Sequence, residues 1–92
     1  MKLVFFIKDD CTACQKAKDK VAFFLDRWGE TGNVTTEFHN VSTAEGLVEA
    51  AMREVGEIPT VLLESDGAEL QRWTKRPPTS AELKVSLGIE SA

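Results

Sequence analysis

The sequence predicts an α/β domain built on a four-stranded mixed sheet flanked by helices, with its elements in the order βαβαββα. Three observations lead there. Residues 3–7, Leu-Val-Phe-Phe-Ile, form an unbroken apolar run of the kind carried by strands buried on both faces. Two segments with apolar residues every three or four positions follow, separated by an alternating stretch. Two short strand-like runs then meet at Ser65-Asp66-Gly67, a turn sequence whose glycine tolerates positive φ.

Each element has its own justification. The run at 3–7 is a central strand. From Thr12 onward Ala13, Ala17, Val21, Phe24, Leu25 and Trp28 recur at helical spacing, while Lys16, Lys18, Asp19 and Lys20 occupy much of the other face, so a helix runs to Gly29. Residues 34–41 alternate like a second strand, and a right-handed crossover makes it parallel to the first. Ser42 or Thr43 suits the cap of a second helix, with Leu47, Val48, Ala51, Met52 and Val55 running down one side. Pro59 forbids further helix, residues 60–63 and 68–73 form a hairpin, and Pro77-Pro78 interrupts the chain. Thr79 or Ser80 then opens a last helix through Ala81, Leu83, Leu87 and Ile89.

A chain of 92 residues has room for one hydrophobic core, so residues 1–92 are expected to form a single domain. Its net charge of -4 argues against a general affinity for nucleic acid or anionic membrane, which needs excess Lys and Arg. The apolar run after Lys2 stops at Lys8-Asp9-Asp10, short of a secretion signal, and nothing approaches the roughly 20 apolar residues of a membrane span. A soluble, monomeric, cytoplasmic protein is expected. No G-x-G-x-x-G fingerprint occurs, and no bound cofactor is expected.

The chemistry concentrates in Cys11-Thr12-Ala13-Cys14, which holds both cysteines of the chain at the junction of the buried strand and the first helix. Unpaired N–H groups and the positive end of the helix dipole favour thiolate there, lowering a thiol below its ordinary value of about 8.5. Cys11 is therefore the expected nucleophile. Cys14, one turn in and more shielded, is the expected resolving thiol. Asp10 is placed to cap the helix and compete with the Cys11 thiolate for the same N–H groups. An isolated C-x-x-C can also be half of a zinc site or two buried cysteines, but a closed site needs four ligands. The chain adds only His39, on a predicted strand, and no metal site is expected within one chain.

With these features in place, the chain resembles the thioredoxin–glutaredoxin superfamily. Cys11-Thr12-Ala13-Cys14-Gln15-Lys16-Ala17-Lys18 is similar to the glutaredoxin C-x-x-C-x-x-A-K segment, and Ile58-Pro59-Thr60-Val61-Leu62-Leu63 with Asp66-Gly67 resembles the thioredoxin segment that carries a cis-proline into the hairpin. The resemblance implies a thioredoxin fold and thiol–disulfide oxidoreductase activity on protein disulfides. It implies that Pro59 is cis and faces the active-site sulfurs, that Ile58 offers backbone groups to an extended substrate, and that Thr12 and Ala13 lie where substrate binds. Electrons would come from a reductase or a low-molecular-weight thiol. The sequence departs from the family in lacking an aromatic residue before Cys11, a Gly-Pro or Pro-Tyr between the cysteines, and the glycine pair that glutaredoxins use to hold glutathione. A noncatalytic carrier or assembly protein that uses the same thiols to bind metal, across two chains, is the second reading, and a thioredoxin-fold adaptor with little turnover is the third.

Overall fold

The structure is a computed structural model and describes residues 1–89; the last three residues of the expected domain lie outside the described residues. The elements are β1 (Lys2–Ile7), α1 (Thr12–Arg27), β2 (Thr35–Asn40), α2 (Ala44–Met52), β3 (Thr60–Ser65), β4 (Ala68–Thr74) and α3 (Ser80–Leu87), the order the sequence predicts. They build a four-stranded sheet in the order β2-β1-β3-β4, with β1 parallel to β2 and antiparallel to β3. No described helix is long and apolar enough to cross a membrane.

Strand β1 is central because its apolar run fills both layers. Leu3 and Phe5 join Val21, Leu25, Val34, Val61, Leu63, Trp73 and Leu83 in one core, so α1 and α3 cover that face. Val4 and Phe6 join Leu62 and Ala50 in a second core on the opposite face, under α2. Trp73 is buried in the first core and is a packing residue, as is Trp28 on its margin. The hairpin between β3 and β4 closes through Asp66 and Gly67 at φ 51° and 80°, the pair of positive values that a two-residue turn matching the strand twist requires.

Helix α1 follows its sequence periodicity: Cys14, Ala17, Val21 and Leu25 are buried, and the N–H of Gly29 donates to the carbonyl of Asp26 as the helix ends. Thr79 caps α3 in a reciprocal arrangement with Glu82, whose carboxylate also binds Arg76. Those two partners lower the Glu82 carboxyl to about 2, with Arg76 the larger cause.

Helix α2 is the exception. Thr43, not Ser42, caps it, its hydroxyl accepting the Gly46 N–H at 3.0 Å. An apolar helix side ordinarily packs inward, yet Leu47, Val48 and Met52 are 57%, 57% and 73% exposed and Ala51 is exposed as well; Val55, beyond the helix, alone packs on the second core. Gly46 and Ala50 face the sheet instead. The reason is distance: a Cβ at position 46 would overlap the backbone carbonyl of Asn40, so only small residues fit beneath the helix. Arg53, just past its end, anchors it by ion pairs to Glu49 at 2.6 Å and Glu64 at 3.0 Å, and lies 3.7 Å from Glu37. The Glu64 carboxylate is the main cause that raises the Arg53 guanidinium further, and the His39 hydrogen bond is the main cause that lowers Glu37.

Candidate functional site

Strand β1 ends at Ile7, and Lys8-Asp9-Asp10 carries the chain from the sheet to the first turn of α1. Side chains at the end of β2 and in the turn after it hold this connection: Asn40 Nδ2 donates to the Asp9 carboxylate at 2.8 Å, and the Asp9 N–H donates to Ser42 Oγ at 3.0 Å. Asp10 takes a left-handed φ of 52°, which delivers Cys11 in an extended conformation at the cap position.

The cap is Cys11 itself. Its Sγ accepts the Cys14 N–H at 3.1 Å, so the expectation that Asp10 would cap the helix is corrected: the left-handed turn at Asp10 places the sulfur, not the carboxylate, over the helix donor. The expected competition between Asp10 and Cys11 for that N–H is removed with it. No acidic residue lies in the first turn of α1 to share the positive end of the dipole with Cys11.

Cys11 and Cys14 are joined as a disulfide with their Cα atoms 5.2 Å apart. The two ends differ: Cys11 is partly exposed, whereas Cys14 is buried at 2% exposure. Thr12 and Ala13 between them are exposed. The site therefore presents one approachable sulfur and one shielded sulfur, at the positive end of a 16-residue helix.

The register places the second motif at the same end of the sheet. Phe6 pairs with Thr60, so the start of β3 lies beside the end of β1, and the Ile58–Pro59 peptide immediately before it is cis. Pro59 is buried and its carbonyl accepts the Lys75 N–H at 2.7 Å, while Thr60 Oγ1 donates to the Glu57 carbonyl at 2.6 Å, so the bend is tied on both sides. Ile58 is partly exposed and packs on the second core.

His39 stays apart from the cysteines. It lies 2.6 Å from a Glu37 oxygen and stacks on Phe6, on the strand face under α2. Among the described residues no three His, Cys, Asp or Glu side chains converge on a common point. Sequence reasoning missed the links among Asp9, Asn40 and Ser42 that set the position of the Cys11 loop, because they join residues more than 30 positions apart and carry no local signature.

No protein-family model matches the chain, and no curated protein matches it. Solved structures do. Thioredoxin 1 from the thermophilic eubacterium Thermosipho africanus superposes with a TM-score of 0.73 at 22% identity, over 96% of this chain and 91% of that one. A thioredoxin-2 described as a component of malaria parasite protein secretion machinery gives 0.74 at 18% identity, over 97% and 82%. The thioredoxin of Fasciola hepatica gives 0.66 at 24% identity, over 96% and 76%. Element order, sheet order and these superpositions agree: the chain has the thioredoxin fold.

Proposed function

We propose that the protein is a thiol–disulfide oxidoreductase that reduces protein disulfides through Cys11 and Cys14. The observation that carries this reading is the inequality of the two sulfurs, one partly exposed at the helix cap and one buried a turn deeper. In the reduced protein the helix N-terminus favours the Cys11 thiolate. That thiolate attacks one sulfur of a substrate disulfide, expelling the other as a thiolate and leaving a mixed disulfide. Cys14, deprotonated in turn, attacks Cys11 Sγ and expels the second substrate thiolate. Two electrons pass to the substrate, its two thiolates take up protons, and the Cys11–Cys14 disulfide closes.

Thr12 and Ala13, exposed in the first turn, and Ile58 with Pro59, at the same sheet end, form the surface that meets the substrate. The oxidised protein is regenerated by a reductase protein or a low-molecular-weight thiol, and it works as a monomer in the reducing cytoplasm, where such donors are present. Reduction of insulin disulfides by stoichiometric, pre-reduced protein tests the reading. Wild type should generate insulin thiols, Cys11→Ser should generate none, and Cys14→Ser should accumulate a mixed disulfide through Cys11. Undiminished insulin reduction by Cys11→Ser would overturn the assignment.

A further inference from the structure

The outward side of α2 offers water a continuous apolar surface that the fold does not use. At 100° per residue, Leu47, Ala51, Ala44, Val48 and Met52 span an arc of about 140°, and all five are exposed. The other large exposed apolar residues, Met1, Phe23, Phe38, Leu70 and Val85, lie on other segments of the chain. The polar side chains that would suit water on this helix, Glu49 and Arg53, are instead turned toward the sheet edge and tied to one another. The helix thus buries only Gly46 and Ala50, keeps Glu49 and Arg53 at the sheet edge and turns its bulky apolar side outward, and a contiguous exposed patch of this kind marks an interaction surface where scattered residues do not.

Charge around the stripe selects its occupant. Glu45 on the helix and Glu54 two residues past its end are exposed and form no ion pair among the described residues. The nearby cations are spent: Arg53 serves Glu49 and Glu64, and Arg72 is bound to Glu69 and to the carbonyls of Arg53 and Glu54. A second copy of this chain would set these carboxylates against their own kind, and an anionic bilayer would be repelled in the same way. What fits is a protein segment with an apolar ridge bordered by Lys or Arg. The helix also starts at the redox end of the sheet, since Thr43 follows directly on the Asn40 and Ser42 side chains that hold the Cys11 loop.

We infer that the outward face of α2, centred on Leu47, Val48 and Met52, is a docking site for a basic-flanked apolar segment of the disulfide-bearing partner, holding that partner while Cys11 reacts. This rests on the reading of Cys11 and Cys14 as a disulfide reductant.

Three synthetic peptides test it, each containing the same internal disulfide: one bare, one extended through a Gly-Ser linker by an amphipathic Leu/Lys segment, and one extended by the Leu/Glu counterpart. Pre-reduced protein is mixed with each in single turnovers, and peptide thiols are alkylated and counted. The Leu/Lys extension should lower the half-saturating peptide concentration about tenfold relative to the bare peptide, with the Leu/Glu extension giving no gain. The surface variant Leu47→Ser/Met52→Ser should lose that gain and reduce the bare peptide at the wild-type rate. Equal half-saturation for all three peptides, a gain that survives in the double variant, or wild-type dimerisation or binding to phosphatidylglycerol vesicles that the double variant abolishes would each overturn the proposal. If the bare peptide is not reduced at all, the redox reading fails, and calorimetric titration of the Leu/Lys segment alone decides docking: heat of binding lost in the double variant sustains it, and no heat removes it.

Discussion

Helices α1 and α2 cover opposite faces of one sheet and are held there by different physics. Helix α1 is amphipathic in the ordinary sense, with Val21 and Leu25 sunk into the core beside Leu3, Phe5 and Leu63. Helix α2 lies so close to the Asn40 carbonyl that Gly46 and Ala50 are the residues it can bury, and Arg53 links its end to carboxylates on the sheet. Apolar content alone therefore does not tell which way a helix faces. The space left above the sheet decides it, and a helix seated close turns its bulky side chains out.

The contrast can be broken most severely from the α1 side. Leu25→Ala removes a buried side chain from the first core and should cost about 2–5 kcal/mol in unfolding free energy, read by urea denaturation, whereas truncating a residue of similar size on α2 should cost far less. A loss below about 0.5 kcal/mol would show that α1 is not held by burial. Next in size is Gly46→Ala. The added methyl meets backbone that cannot swing aside, so despite the better helix propensity of alanine the variant should lose about 1–3 kcal/mol. A stabilised variant would mean that α2 can lift from the sheet at no cost.

Acid should then separate the two helices without any mutation. Glu37 is held below the ordinary carboxylate value of 4.5, chiefly by His39 and also by Lys2. A depressed carboxylate contributes stability that is complete above its unfolded value and is lost as pH falls through the folded one. Amide protection in α2 and its neighbour β2, corrected for intrinsic exchange, should accordingly decline below pH 4.5 while that of α1 declines less. The Glu82 cap of α3 behaves alike over a wider window, from 4.5 down to about 2. Equal decline in all elements would indicate global rather than local loosening. The smallest effect is expected for Leu47→Ser, within about 0.5 kcal/mol of wild type, since the side chain is 57% exposed and leaves no cavity.

Much of the molecule was legible before any coordinates. The apolar run at 3–7 located the central strand, Asp66-Gly67 located the hairpin turn, and Cys11 and Cys14 were assigned to the start of α1, where they are found. Each of these signals is local: a period, a turn dipeptide, a spacing of three. The cap of α1 is not legible in the same way, because any of several residues near a helix start can cap it, and the choice of Cys11 over Asp10 depends on backbone angles in a loop tied to Asn40 and Ser42.

By itself the sequence determined the order of the elements, the central position of β1 and the presence of a cysteine pair at a helix start, because hydrophobic period, turn chemistry and residue spacing act over a few neighbouring positions. Only the tertiary structure decided which residue caps α1 and which side of α2 meets water. Those outcomes depend on how closely distant segments approach, as at Gly46 and Asn40, and separation in space is a quantity that no stretch of sequence carries alone.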